Sequence, residues 1–210
     1  MNDRIKELLS RPLPNERQPN GAGRDRQRLN NPHFAYHEAG HAVVFWHHGI
    51  RFRYVTMRPR ALGHGGHVYV GKFLKFRDAA GWRVAMQLAA AGEIGAGRIS
   101  RPRDVPDDLS LLNRFTRAAE NPEDPWLVED MRHFISAAKK MDAALLAADS
   151  DAVVGPVAWR NVWRDTETLV RDELWPAVYA LAWELVYNRH RFTYDEVGAI
   201  ATTALAVLVP

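Results

Sequence analysis

The chain has no cysteine, which excludes disulfides and thiolate metal ligands and fits a reducing compartment. Any bound metal must be held by His, Asp or Glu. No stretch reaches the roughly 18 uninterrupted apolar residues that cross a bilayer. The opening "MNDRIKELLSRPLPNERQPNGAGRDRQRLNN" has no apolar h-region, so it does not read as a secretory signal. These absences predict a cytoplasmic protein without a membrane span. The body also lacks net charge. Residues 1–31 hold seven basic side chains (Arg4, Lys6, Arg11, Arg17, Arg24, Arg26, Arg28) against Asp3, Glu7, Glu16 and Asp25, so this stretch alone supplies the formal +3 of the whole chain. It contains no aromatic residue on which a base could stack, so it reads as a flexible, solvated basic arm, and nucleic acid is not expected as a partner.

What is present suffices for one packed domain: 210 residues, 47% of them hydrophobic. The pattern predicts an arm over 1–31, a core over 32–120, and a helical C-terminal part of the same domain over 121–210. Asn31 and Pro32 are good N-cap and first-turn residues, and Gly49 is a natural terminator, so a helix is predicted from Pro32 to about His48. "IRFRYVTM" (50–57) alternates apolar and basic residues, which predicts a strand. His67 to Val70 reads as a second strand after a Gly-rich turn. From Ala79 the chain turns helical, and its run of Ala and Gly (Ala89 to Gly92, Gly95, Gly97) permits close packing against another helix. Further helices are expected over Leu109–Ala119 and Trp126–Ala148, the latter with Met131, Phe134, Ile135, Ala138, Met141 and Leu145 inward. Trp159–Leu174 and Ala177–Tyr187 read as one helix kinked at Pro176 or as two. Thr193 and Glu196 are spaced as a capping box. The tryptophans fall mostly at helical spacing and are expected in the core. Glu184 is expected on a solvated or paired face.

One stretch carries chemistry: "FAYHEAGHAVV" (34–44). On a helix His37 and His41 lie on one face and can aim both imidazoles at one ion. A catalytic zinc keeps three protein ligands at about 2.0–2.2 Å and leaves the fourth position for water. Glu38 is placed to take that water's proton without binding the metal, the HExxH logic of metallopeptidases. Ala39 and Gly40, between the histidines, read as keeping the space around the metal clear. Chemistry alone leaves the third ligand open among Glu93, Asp104, Asp107 and Asp108. His64 and His67 read as turn histidines, with a metal or oxyanion role as the lesser reading. His47 and His48 suit a helix C-terminus as cations. The strand ending at Met57 is expected to offer its edge to an extended peptide.

"AYHEAGHAVV" resembles the zinc motif of the FtsH-type peptidases, the protease half of membrane-anchored AAA proteases. "YVTMRPRALGHGGHV" is similar to that family's strand and turn, "VPDDLSLLNRFTRAA" to its N-D-L-x-x-A-T segment, and "ALAWELVYNRHRFTYDEVGAI" to its closing helices; "LAAAGEIGAGRIS" matches loosely. The likeness runs from about residue 33 to 200. It implies a mainly α, zincin-like domain with a small sheet beside the HExxH helix. It also implies Zn2+ as cofactor, His37, His41 and Asp108 as ligands, and Glu38 as general base. The family's ATPase signature G-x-x-x-x-G-K-[ST] is absent from this sequence. The function expected is therefore a zinc metallo-endopeptidase, ATP-independent in itself, acting on peptides or unfolded chains, with a separate unfoldase or a specific protein target as partner. The alternatives are a regulatory protease cutting one partner, such as a repressor, and an inactive peptidase-like binding module. The oligomeric state is not specified by the sequence.

Overall fold

A computed structural model describes residues 32–58, 66–71, 74–100 and 129–207. The basic arm, the helix expected over 109–119, and His64, Asp104, Asp107 and Asp108 lie outside the described residues. The described part is mainly helical with one small sheet. Helix α1 (Pro32–His47) leads to strands β1 (Tyr54–Thr56) and β2 (His67–Tyr69), then α2 (Ala79–Ser100). After α3 (Glu129–Ala148) and α4 (Pro156–Thr168) comes a π-helical turn (Leu169–Glu173). Helix α5 (Trp175–Tyr187), β3 (Arg191–Phe192) and α6 (Tyr194–Ala206) complete the order.

Helix α1 is the centre of the molecule. Its residues from Ala35 to Phe45 are buried except His37, as befits a helix apolar nearly all round. It packs against α2, α5 and α6, and against β1 and β2. It ends as Gly49 predicts. Gly49 takes a φ of 66°, its N–H donates to Trp46 O at 2.9 Å, and Ile50 N–H donates to Phe45 O at 2.9 Å. These two bonds make a Schellman motif. The cation role expected of His48 is not what its surroundings favour. Burial and the neighbouring His47 lower its pKa, against a hydrogen bond with Gln87, and favour the neutral ring.

The Ala/Gly face of α2 does meet another helix, and that helix is α1. A Cβ on Gly40 would collide with the carbonyl of Ala91, and one on Gly95 would come 2.7 Å from Tyr36 O. Gly40 is therefore small because α2 crosses there, not because it clears space around a metal.

Helix α3 turns Met131, Phe134, Ile135, Ala138 and Met141 inward, with Leu145 partly buried. Asp142 Oδ2 accepts from Gly155 N (3.1 Å) and Trp159 Nε1 (2.9 Å), which ties α3 to the start of α4. Near Pro176 the chain forms two helices rather than one kinked one. The π turn absorbs the mismatch, with Leu174 N–H reaching back to Leu169 O at 2.8 Å, and Pro176 sits in the first turn of α5 where its missing N–H costs nothing. The Thr193–Glu196 capping box forms in full. Trp159 and Trp163 lie in the core; Trp82, Trp175 and Trp183 are partly buried against it. Glu184 is paired, accepting from Asn188 Nδ2 at 2.7 Å.

The sheet is antiparallel in the order β2-β1-β3. This corrects the expectation that β1 offers an edge. Val55 and Thr56 pair with Val68 and His67 on one side, and with Phe192 and Arg191 on the other. The two-residue β3 was too short to leave an alternating pattern.

Gly40→Ala should drive the α1 and α2 backbones apart and lower stability by about 1–3 kcal/mol, the usual cost of overpacking. Urea unfolding measures it. Thr193→Ala should cost about 1 kcal/mol through the lost cap.

Candidate metal centre

Helix geometry puts His37 and His41 one turn apart, with ring centroids 4.7 Å apart and the planes at 79°. Their Nε2 atoms are 3.1 Å apart. Asp130, in the first turn of α3, brings Oδ2 to 3.0 Å from His37 Nε2 and 3.3 Å from His41 Nε2. The three atoms form a nearly equilateral triangle. A tetrahedral ion with ligands at about 2.0–2.1 Å sets neighbouring donor atoms about 3.3 Å apart. The triangle thus has the size of one face of such a tetrahedron. It is the one group of three potential ligands gathered in this way among the described residues.

Contacts behind the donor atoms fit the same use. His41 Nδ1–H donates to Leu88 O on α2 at 2.7 Å, which leaves Nε2 to face Asp130 and His37. Glu93 Oε1 stands 3.7 Å from His37 Nδ1, on the opposite side of that ring from the triangle. Glu93, a rival for third ligand, thus lies beside His37 but outside the triangle. Gly92 completes the wall: a Cβ there would overlap His41 Nε2 and come 2.8 Å from His37 Cε1. Only hydrogen at position 92 leaves the donor atoms uncovered.

Glu38 is buried at 5% exposure, outside the triangle. Gly66, just before β2, covers it, since a Cβ there would lie 2.6 Å from Glu38 Cγ. The Glu38 charge also acts on His41. His67 is in β2, its ring 5.8 Å from that of Tyr54, and does not join the triangle.

Asp130 was not among the acids weighed from the sequence. A signal for it exists. It precedes Phe134 by one turn, so it lies on the inward stripe of an amphipathic helix, where a carboxylate needs a partner.

Without a metal the cluster is an ion pair. Burial works against the charged His41 ring. The Asp130 charge and hydrogen bond, with Glu38 and the Leu88 carbonyl, outweigh it and raise the pKa to about 9. Burial likewise opposes the Asp130 carboxylate, but His41 and His37 hold its pKa well below the ordinary range.

No protein-family model matches the chain, and no curated protein sequence matches it. The resemblance to FtsH-type peptidases rests on the sequence motifs alone.

The metal-free protein should show a two-sided pH dependence. His41 has a folded-state pKa above its ordinary 6.5, so its contribution is full below 6.5 and is lost as pH rises through about 9. Asp130 is depressed below its ordinary 3.8, so its contribution is present above that value and is lost on further acidification. The Tm of chelator-treated protein should fall on the alkaline side, and His41→Gln should remove that part of the slope. An identical slope in the variant would contradict the pairing.

Proposed function

We propose that this protein is a zinc-dependent metallo-endopeptidase in which His37, His41 and Asp130 hold the ion and Glu38 is the general base. The observation that carries this reading is the triangle of His37 Nε2, His41 Nε2 and Asp130 Oδ2, with edges of 3.0–3.3 Å, built on an HExxH helix. Two imidazoles and one carboxylate suit zinc and leave one tetrahedral position for water. Asp108, favoured by the family resemblance as third ligand, lies outside the described residues. Asp130 is the carboxylate that the geometry offers.

Bound zinc supplies Lewis acidity, which makes a water proton labile near neutral pH. Glu38 would accept the proton of a water held at that position and so free its oxygen to add to the scissile carbonyl carbon. As the C–N bond breaks, Glu38 returns the proton to the departing amine nitrogen. The Leu88 carbonyl holds the His41 imidazole in orientation during this cycle. The buried setting of Glu38 and His41 keeps competing water from screening their charges. Substrates are peptides or unfolded segments, with a separate unfoldase or one dedicated target protein as the partner.

A non-catalytic binding module is the second reading. It is favoured by the 3.3 Å approach of His41 Nε2 to Asp130 Oδ2, a pairing of charges that needs no catalysis to account for it.

Purified protein should carry about one zinc per chain, the stoichiometry of a three-ligand catalytic site. His41→Ala, Asp130→Ala and Gly92→Ala should lose it, while Asp108→Ala retains it. Glu38→Gln should keep the metal and lose about 10²–10⁴-fold in peptide hydrolysis, the usual contribution of general base catalysis. Zinc content by atomic absorption and cleavage of a quenched fluorescent peptide give the readouts. Retained zinc in Asp130→Ala together with loss in Asp108→Ala would return the third ligand to Asp108. Hydrolysis unchanged in Glu38→Gln would defeat catalysis at this site.

A further inference from the structure

A cleft of about 690 Å³ opens over the face of the small sheet, and it is basic and aromatic. Tyr54 and Thr56 of β1, and His67 and Tyr69 of β2, form its floor; Arg58 and Arg191 stand at its sides. Arg189 and His190 also line it, and among the described residues no Asp or Glu does. The tyrosines at 54 and 69 are stacked, with centroids 5.2 Å apart and planes at 15°. The Arg191 guanidinium lies 3.8 Å above the Tyr54 ring. A guanidinium stacked on a ring by its face keeps its in-plane N–H groups for an anion. Arg189 is engaged by Glu196 at 2.8 Å. Among the described residues no carboxylate pairs with Arg58 or Arg191.

The cleft adjoins the candidate metal centre. Gly66 is packed tightly there: a Cβ on it would overlap the Thr56 carbonyl and lie 2.6 Å from Glu38 Cγ. Thr56, which lines the cleft, and Glu38 thus both lie against Gly66. Among the described residues β2 pairs only with β1, so its outer side suits an extended chain.

We propose that this cleft binds an acidic, extended segment of a polypeptide, with Arg58 and Arg191 receiving its carboxylates and the Tyr54–Tyr69 stack supporting its backbone and apolar side chains. The assignment rests on the peptidase reading for the fate of the bound chain, not for its binding. The charge complementarity selects the occupant: arginines with no acidic lining among the described residues favour Asp- or Glu-rich sequence over neutral or basic sequence.

Fluorescence anisotropy on the full chain carrying Glu38→Gln tests the cleft without turnover. The probes are labelled peptides of equal length built on Gly and Tyr with Glu, Gln or Lys, and a single-stranded oligonucleotide. The Glu peptide should bind at least about tenfold more tightly than the Lys peptide, the scale of one charge-assisted hydrogen bond. Arg58→Glu and Arg191→Glu should each weaken the Glu peptide by about as much, with zinc content and circular dichroism unchanged, because neither residue touches the metal triangle. The two variants lie on different segments, so misfolding of one leaves the other informative. Equal binding of Glu and Lys peptides, or no loss in either folded variant, overturns the proposal. Tighter binding of the oligonucleotide than of the Glu peptide, lost in the same variants, also overturns it. If the wild type lacks zinc and hydrolysis yet the Glu peptide binds through Arg58 and Arg191, the cleft assignment stands and the peptidase reading falls. If peptides are cleaved without regard to charge, the reverse holds.

Discussion

Helices α1 and α2 meet backbone to backbone, and the His37–His41–Asp130 triangle depends on that approach. Helices with ordinary side chains between them keep their axes about 8–10 Å apart. Here Gly40 faces the Ala91 carbonyl, and Gly95 faces the Tyr36 carbonyl, with no room for a Cβ at either. At that separation a main-chain carbonyl of one helix can reach a side chain of the other at its root. Leu88 O therefore meets His41 Nδ1 at 2.7 Å, and Gly92 lies flat against both imidazoles. The orientation of the histidines is set by the backbone of α2, which is more rigid than any side chain that might have done the same work.

Polar groups placed in such a helix must be compensated, because a buried charge without a partner costs several kcal/mol. Helix α1 buries Glu38 and His41 among Ala, Val and Phe. Compensation for His41 arrives from two other helices, as the Leu88 carbonyl on α2 and the Asp130 carboxylate on α3. The packing of α3 through Met131, Phe134 and Ile135 is what delivers Asp130, since the acid lies on the same stripe. One buried hydrophobic cluster includes residues of α1 through α5, so the position of the carboxylate is coupled to the whole core.

The sheet serves the site differently. Its central strand, β1, is held on both sides, and Thr56 adds a side-chain bond to His190 O at 2.7 Å. The α5–β3–α6 corner, fixed by the capping box at Thr193, thereby becomes part of the wall of the cleft over the sheet. Its arginines give that wall its charge. Basic residues in "RYVTMR" and "NRHRF" are far apart in sequence and look like ordinary solvated faces when read separately. Only the pairing of Thr56 with Arg191 places them around one cleft.

Much of the local structure was legible in the residues. Gly49 ends α1 because only a residue tolerant of positive φ closes a Schellman motif easily, and Thr193 with Glu196 caps α6 by short-range bonds. The HExxH spacing put His37 and His41 on one face for the same reason: helical geometry is local. Gly40 misled, because a small residue looks the same whether it clears a ligand or a neighbouring helix. Asp130, Leu88 and Gly92 could not be tied to the histidines from spacing, since they come from other helices and contact order leaves no periodic trace. What the sequence determined is the pair of imidazoles with its neighbouring acid, a matter of 3.6 residues per turn. What the tertiary structure decided is which carboxylate meets them and from which side, because that depends on the packing of α2 and α3 against α1, a sum over many weak contacts that no short stretch encodes.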